Sequence, residues 1–191
     1  MKKYLEVSEY IDWQAPEIIK LARKLAENKI SDVDVAKNCF GWVRDEIKHS
    51  WDYKLNPVPC RASDFLKHGT GYCYAKSHLL AALLRANKIP AGLCYQRLSI
   101  NDDGAPYSLH GLNAVYLRDF GWYKIDARGN KESVDAQFTP PHEQLAFPIK
   151  DENEKDFPDI LVKPASVVVD ALINNNTIRD VFDHLPDAEK I

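Results

Sequence analysis

Residues 68–85 read HGTGYCYAKSHLLAALLR, in which a glycine-rich turn leads through a cysteine directly into a helical pattern. The helix is predicted from apolar residues that recur at helical spacing: Leu79, Leu80, Ala82, Leu83 and Ala86. Gly69 and Gly71 are turn residues, so the helix cannot begin much earlier than this pattern. We therefore predict that Cys73 lies at or next to the N-terminus of the helix.

The predicted position of Cys73 allows two interpretations. Unpaired N–H groups and the helix dipole favour an anion at a helix N-terminus, and the thiolate is the reactive form of cysteine. Cys73 is then a candidate nucleophile. Free cysteine is also among the most buried residue types, so an inert core thiol is the alternative on this feature alone.

Length and composition indicate one domain without a nucleic-acid or membrane partner. The 191 residues are 45% hydrophobic and 10% aromatic, enough to bury a core in a single domain spanning 1–191. Charges are interspersed and the net charge is −3, so no basic stripe is available for phosphate backbones. No apolar run approaches the ~18 residues of a membrane span, and Tyr4–Glu9 is too polar for a signal peptide. We expect a cytoplasmic protein.

The cysteine pattern predicts neither a metal site nor a redox dithiol. The four cysteines are widely spaced, without a Cys-x-x-Cys pair: Cys39, Cys60, Cys73 and Cys94. Disulfides are uncommon in a chain of this length that has no signal peptide. We therefore expect four free thiols, no metal and no cofactor, with Cys39 on the apolar stripe of a core helix.

Helical patterns occur at both ends of the chain. Apolar periodicity predicts helices over 17–28, from 31 to about 47, over 164–174 and over 177–184. Residues 49–62 are predicted to form a loop packed by its own aromatic residues, and 63–67 a short turn or helix. Trp51 and Tyr53 in that loop are either core packing or walls of a cleft. The acidic stretch 151–156 is predicted to be solvated.

Strand patterns follow the central helix and set the fold class. Alternation predicts strands over 91–98, 110–117 and 122–126, and residues 118–121 suggest a hairpin between the last two. Antiparallel strands after a helical block indicate an α+β fold. We expect the N-terminal helices and the helix of Cys73 to pack on an antiparallel sheet, with helices closing the C-terminus.

A cysteine nucleophile needs an imidazole to exchange its proton and a third group to orient that imidazole. His78 lies five residues past Cys73, roughly 140° around a helix of 3.6 residues per turn, so it points away. His49 lies beside a loop in which no residue is expected to orient it. The other histidines are His68, beside a loop and likewise without a residue to orient it, His142, and His184 near the end of the closing helix. His110 differs, because it opens one predicted strand and Asp126 closes the next.

The order of motifs around these residues resembles the transglutaminase-like superfamily, in particular its single-domain bacterial type. The superfamily core has Gly-x-Cys at a helix start, Leu-Leu-Arg followed by Ile-Pro-Ala, a strand histidine, and Gly-Trp-x-x-x-Asp. This chain has matching residues in the same order: Gly71-Tyr72-Cys73, Leu83-Leu84-Arg85, Ile89-Pro90-Ala91, His110, and Gly121-Trp122 with Asp126. The resemblance covers about residues 60–130.

The resemblance implies a papain-like fold with a Cys-His-Asp triad. By carry-over, Cys73 is the nucleophile, His110 the base and acid, and Asp126 the residue that orients His110. One departure is Leu112, since members often have tryptophan two residues after the histidine; this bears on substrate contacts.

The expected hairpin sets a geometric condition on this triad. A simple turn at residues 118–121 places Asp126 opposite Asn113, about 10 Å along the strand from His110 at ~3.4 Å per residue. A bulge or a strong twist is then required to bring His110 and Asp126 together.

The expected chemistry is acyl transfer through a thioester, with a peptide, protein or amide substrate. The backbone N–H of Cys73 and one upstream side-chain donor, Trp51 or Tyr53, are candidates for an oxyanion site. We expect hydrolysis of a peptide or carboxamide bond, as in a cysteine protease or amidase. The alternatives are a protein-glutamine crosslinking transglutaminase and a non-catalytic binding module, whereas a thiol redox protein lacks a resolving cysteine. The sequence carries no signal of an oligomeric state.

Overall fold

The helix that begins at Cys73 is the centre of the fold in the computed structural model, which describes residues 1–191. The seven α-helices are α1 (Pro16–Ala26), α2 (Asp32–Glu46), α3 (Ser50–Tyr53), α4 (Ala62–His68), α5 (Cys73–Ala86), α6 (Ser166–Ile173) and α7 (Ile178–Asp183). A short 3-10 helix covers Lys2–Leu5. None of these helices combines the length and the apolar character needed to cross a membrane.

Eight β-strands of 2 to 11 residues complete the architecture. They are β1 (Lys48–His49), β2 (Thr70–Gly71), β3 (Ala91–Ser99), β4 (Tyr107–Leu117), β5 (Gly121–Ile125), β6 (Gln137–Thr139), β7 (His142–Gln144) and β8 (Lys155–Asp156). The main sheet is antiparallel with the strand order β5-β4-β3-β8, β1 pairs in parallel with β2, and β6 pairs with β7. The α+β prediction is therefore confirmed.

The central helix α5 is buried on all sides, not only along the predicted apolar face. Every residue from Cys73 to Arg85 is buried, because α1, α2 and α4 pack on one side of the helix and β3 and β4 on the other. Its long polar side chains bond to backbone carbonyls: Lys76 to Ile47, His78 to Cys60, and Arg85 to Ala91. These bonds satisfy polar groups that would otherwise be costly to bury.

The glycine-rich turn before α5 acts as predicted. Gly69 has φ +66°, a left-handed conformation that ends α4. A Cβ on Gly71 would lie 2.2 Å from Cε2 of Phe65, so only glycine lets the chain pass this close to α4. The helix consequently starts at Cys73, with Tyr72 as its N-cap.

The hairpin of β4 and β5 has a register that differs by one residue from the expected one. Leu117 pairs with Gly121 and Asn113 with Ile125, in an uninterrupted ladder. Extending the ladder by one residue sets Asp126 opposite Leu112, not opposite Asn113. Leu112 and His110 are two residues apart and share a face of the sheet, so Asp126 lies on the same face as His110 without a bulge.

Two loop predictions are only partly right. Residues 48–53 form β1 and α3, and Trp51 stacks on Phe182 of the C-terminal α7 instead of packing within its own loop, with ring centroids 3.8 Å apart. In the acidic stretch, Glu154 is buried, and its carboxylate accepts hydrogen bonds from the backbone N–H groups of Ser99 and Lys150. Tertiary contacts from distant residues override the local pattern at both places.

Candidate active site

The three residues of the predicted triad meet at the start of α5. Nε2 of His110 lies 2.7 Å from Oδ2 of Asp126, and Cys73 and His110 line the same cavity, close enough for Cys73 to raise the pKa of the imidazole. Because Nε2 is engaged by Asp126, Nδ1 is the nitrogen that remains for the thiol. The imidazole therefore lies between the thiol and the carboxylate, the arrangement in which it can exchange a proton with sulfur.

The position of Cys73 follows from the start of the helix. The first turn of a helix has N–H groups without intrahelical partners, and Tyr72 supplies no side-chain cap for them. These N–H groups and the helix dipole place partial positive charge beside the sulfur of Cys73. The exposed fraction of Cys73 is 7%, so the thiol is reached only through the adjoining cavity.

The surroundings of His110 and Asp126 favour the protonated imidazole. Burial alone would lower the pKa of His110, but the charge of Asp126, the neighbouring Cys73 and the hydrogen bond that the imidazole donates to Asp126 raise it to about 10. Asp126 is 1% exposed and accepts further hydrogen bonds from the backbone N–H groups of Arg128 and Ala146. These bonds hold the carboxylate in place beside the imidazole.

Phe147 covers the face of the sheet on which this pair lies. Its ring meets the ring of His110 edge to face, at 5.0 Å between centroids and 89° between planes. Its backbone carbonyl accepts a hydrogen bond from Gln96, the cross-strand neighbour of His110. The sequence analysis did not single out Phe147, because nothing in its local pattern indicates a contact with β4.

The cavity beside the thiol has a volume of about 330 Å³ and is lined by residues from both halves of the chain. Cys73, His110 and Trp51 all line it, whereas Tyr53 does not. Trp51 is a wall residue, since Phe182 stacks on its ring and the ammonium of Lys54 lies 3.3 Å from the ring centroid. The structure thus brings Trp51 to the cavity but leaves the Tyr53 side chain 59% exposed outside it.

The other three thiols lie in different surroundings. All four cysteines are free, as predicted, and Cys39, Cys60 and Cys94 are buried away from this cavity. Burial raises the pKa of each of these three thiols to about 12. A thiol with a pKa this high is almost entirely protonated at neutral pH and is a poor nucleophile there.

A second imidazole also faces the cavity, which the sequence analysis did not expect. His49 lines the cavity, and its Nδ1 lies 3.7 Å from a carboxylate oxygen of Asp52. Asp52 is held by both terminal nitrogens of Arg128 and by Lys131. Burial alone would raise the pKa of Asp52, but the hydrogen bonds and charges of Arg128 and Lys131 lower it. The three-residue spacing of His49 and Asp52 was the available signal, and it is a weak one.

The geometry agrees with a match to a known family. A family model described as the transglutaminase-like superfamily matches residues 19–127, which is more than half of the chain. The chain therefore belongs to the transglutaminase-like superfamily. The match extends well upstream of residue 60, where the resemblance read from the motifs began. No curated protein matches the sequence.

Solved structures that match this chain include proteins from two bacteria and a fish. A proposed cysteine protease from Cytophaga hutchinsonii has a TM-score of 0.52 and 21% identity, over 65% of this chain and 40% of that one. The periplasmic domain of TgpA from Pseudomonas aeruginosa has a TM-score of 0.47 and 17% identity, over 65% and 45%. Red sea bream transglutaminase has a TM-score of 0.47 and 12% identity, over 66% and 32%.

At these identities the comparison with the Cytophaga structure supports the fold and nothing finer. The matched region is less than half of each of the three solved chains. The reaction of this chain has to be inferred from its own residues.

Proposed function

We propose that this member of the transglutaminase-like superfamily is a cysteine-dependent acyl-transfer enzyme that hydrolyses a peptide or carboxamide bond. In this proposal Cys73 is the nucleophile, His110 the general base and acid, and Asp126 the residue that orients His110. The observation that carries it is that Cys73 and His110 line the same accessible cavity while His110 is hydrogen-bonded to Asp126.

The first half of the reaction forms a thioester. The thiolate of Cys73 attacks the carbonyl carbon, a C–S bond forms, and the carbonyl π electrons move to oxygen. When that oxyanion collapses, the C–N bond breaks and its electron pair leaves with nitrogen. The imidazolium of His110 donates its proton to this nitrogen, so that a neutral amine or ammonia departs. Its raised pKa keeps His110 protonated for this step at neutral pH.

The second half of the reaction releases the acid. Neutral His110 accepts a proton from water, the water oxygen bonds to the thioester carbon, and the C–S bond breaks to restore the thiolate. Asp126 stabilises the imidazolium that forms and keeps its own proton count unchanged. Water has a route to the thioester, because the exposed side chains of Lys131 and Lys150 are at the cavity rim.

Mass spectrometry of the reaction products tests this function. Casein is incubated with the protein in ¹⁸O-water, with dansylcadaverine as a competing amine, with and without EDTA. We expect carboxylate products that carry one ¹⁸O per cleaved bond, an acid-stable acyl adduct on Cys73, and no effect of EDTA. Cys73→Ala should abolish both the adduct and the product. His142→Gln, on the exposed β7, is the matched control and should behave like the wild type.

Two other results would overturn the proposal. Dominant incorporation of dansylcadaverine would identify a crosslinking transglutaminase. Binding of casein without any adduct on Cys73, unchanged in Cys73→Ala, would identify a binding module.

A further inference from the structure

The second imidazole in the cavity, His49, lies beside the segment that carries the nucleophile. In the parallel pair of β1 and β2, His49 is the register partner of Gly71, two residues before Cys73. Its ring meets the ring of Tyr72 edge to face, at 5.6 Å between centroids. Paired strands lie about 4.8 Å apart, so the imidazole is next to the start of α5.

The charges around His49 favour its neutral form. The charged or titratable groups that act on it are Asp52, Arg128, Lys76 and His110. Burial first, and then the charge of Arg128, lower the pKa of His49 well below its usual range, and Asp52 opposes them. A neutral imidazole carries one N–H and one lone pair, so the position of the single proton decides what the ring can do.

Nε2 is the nitrogen of neutral His49 that can present a proton to the cavity. Nδ1 is sealed from solvent and has no hydrogen-bond partner, because the carboxylate of Asp52 is taken up by Arg128 and Lys131 and stays 3.7 Å away. No hydrogen bond inside the fold therefore fixes the proton on Nδ1. Nε2 is not sealed in this way, and the residue lines the cavity. Nε2 is therefore the ring nitrogen of His49 that is available to a group bound in the cavity beside Cys73.

We propose that Nε2–H of His49 and the backbone N–H of Cys73 together bind the oxyanion of the tetrahedral intermediate; this assignment rests on the proposed acyl-transfer function. Both donors border the same cavity, one from the start of α5 and the other from the strand paired with the segment before it. Preorganised donors of this kind stabilise the charge that develops on the carbonyl oxygen. His49 replaces Trp51 and Tyr53 in this role.

Substitution of His49 gives the kinetic test. His49→Phe keeps a flat ring without a donor and should lower kcat for the hydrolysed casein peptide by 10²–10³-fold, the order found when one oxyanion donor is removed. KM and the rate of Cys73 alkylation should stay within about twofold, because neither depends on the oxyanion. His49→Gln restores an N–H donor and should recover at least about tenfold of the loss. His68→Phe, at the exposed end of α4, is the matched control and should show none of these changes.

Two measurements that do not require turnover distinguish failure of this inference from failure of the proposed function. In ¹⁵N NMR spectra of the wild-type protein at pH 7, His49 should show the neutral tautomer protonated at Nε2. The aldehyde acetyl-glycyl-glycinal, which forms a hemithioacetal with Cys73, should bind at least about tenfold more weakly to His49→Phe than to the wild type. Protonation at Nδ1, equal aldehyde affinity, or equal activity of the Gln and Phe variants would each overturn the inference. Wild-type protein that captures the aldehyde but cleaves no peptide would overturn the proposed function instead.

Discussion

Gly111 of β4 lies directly against Tyr74 of α5. A Cβ at position 111 would lie 3.0 Å from Cδ1, 3.2 Å from Cα and 3.4 Å from the backbone nitrogen of Tyr74. The tyrosine hydroxyl also donates to the backbone carbonyl of Leu109. The absence of a side chain at Gly111 thus allows the strand of His110 to approach the helix that begins with Cys73.

Gly111→Ala should separate the imidazole from the thiol. The added methyl meets helix backbone that cannot move aside freely, and a displacement of about 1 Å at a reacting group can cost on the order of 10²-fold in rate. We expect kcat/KM for peptide hydrolysis to fall by about that factor. The control is Gly41→Ala within α2, where a Cβ meets nothing within 4 Å; it should retain activity. Equal kcat/KM in the Gly111→Ala variant and the wild type would refute this account of the contact.

The four thiols should differ in their reactivity. Limiting iodoacetamide under native conditions should label Cys73 first, because Cys39, Cys60 and Cys94 are buried and burial raises each pKa to about 12. Peptide mapping by mass spectrometry identifies the labelled residue. Faster modification of any of the other three would contradict the assignment of the nucleophile.

The pair of Cys73 and His110 should control alkylation at acidic pH. With its pKa raised to about 10, His110 is a cation throughout the neutral range and stabilises a nearby thiolate. In His110→Ala this cation is missing, so iodoacetamide should modify Cys73 at pH 6 at least about tenfold more slowly, with a smaller difference near pH 9. Superimposable rate profiles of the variant and the wild type would show that the two residues do not interact.

Asp126→Asn should lower the turnover of the enzyme without changing its fold. The amide keeps the size of the carboxylate but loses the charge that stabilises the imidazolium of His110. Turnover should fall by about 10²–10⁴-fold, the usual range for loss of general acid–base catalysis, and the circular dichroism spectrum should remain that of the wild type. A variant with wild-type turnover would remove Asp126 from the mechanism.

Acid should destabilise the fold through buried His78. Burial lowers the pKa of His78 to about 4, whereas an exposed histidine titrates near ~6.5. Between these values the unfolded chain binds more protons than the folded one, so the free energy of unfolding falls as the pH is lowered, by up to about 3 kcal/mol from this residue. Urea titrations at pH 7 and 4.5 should show a smaller loss in His78→Asn than in the wild type. The pKa of His49 is also lowered by burial. Because His49 is present in both proteins, its contribution to the pH dependence of the unfolding free energy cancels in the comparison. An equal loss of unfolding free energy in the two proteins would contradict this role of His78.

The sequence was sufficient to predict the main elements, and the resemblance of its motifs to the transglutaminase-like superfamily singled out the three residues that meet at the site. Gly69 and Gly71 force a turn, helical periodicity begins right after it, and alternation marks the strands that carry His110 and Asp126. Each of these signals is local, because it depends on the backbone conformations and spacings that neighbouring residues prefer. They predicted the start of α5, the hairpin and the α+β class.

The tertiary structure alone decided how these elements fit together. Residue composition did not distinguish a hairpin that pairs Asp126 with Asn113 from one that pairs it with Leu112, yet a one-residue shift of register moves a side chain to the other face of a sheet. Likewise, the local sequence does not distinguish His49 from Tyr53 as a cavity residue, whereas the structure has His49, on the strand β1 that pairs with β2, in the cavity lining and Tyr53 outside it. Register and strand pairing depend on contacts between residues far apart in the chain, whose packing free energies a local pattern does not contain.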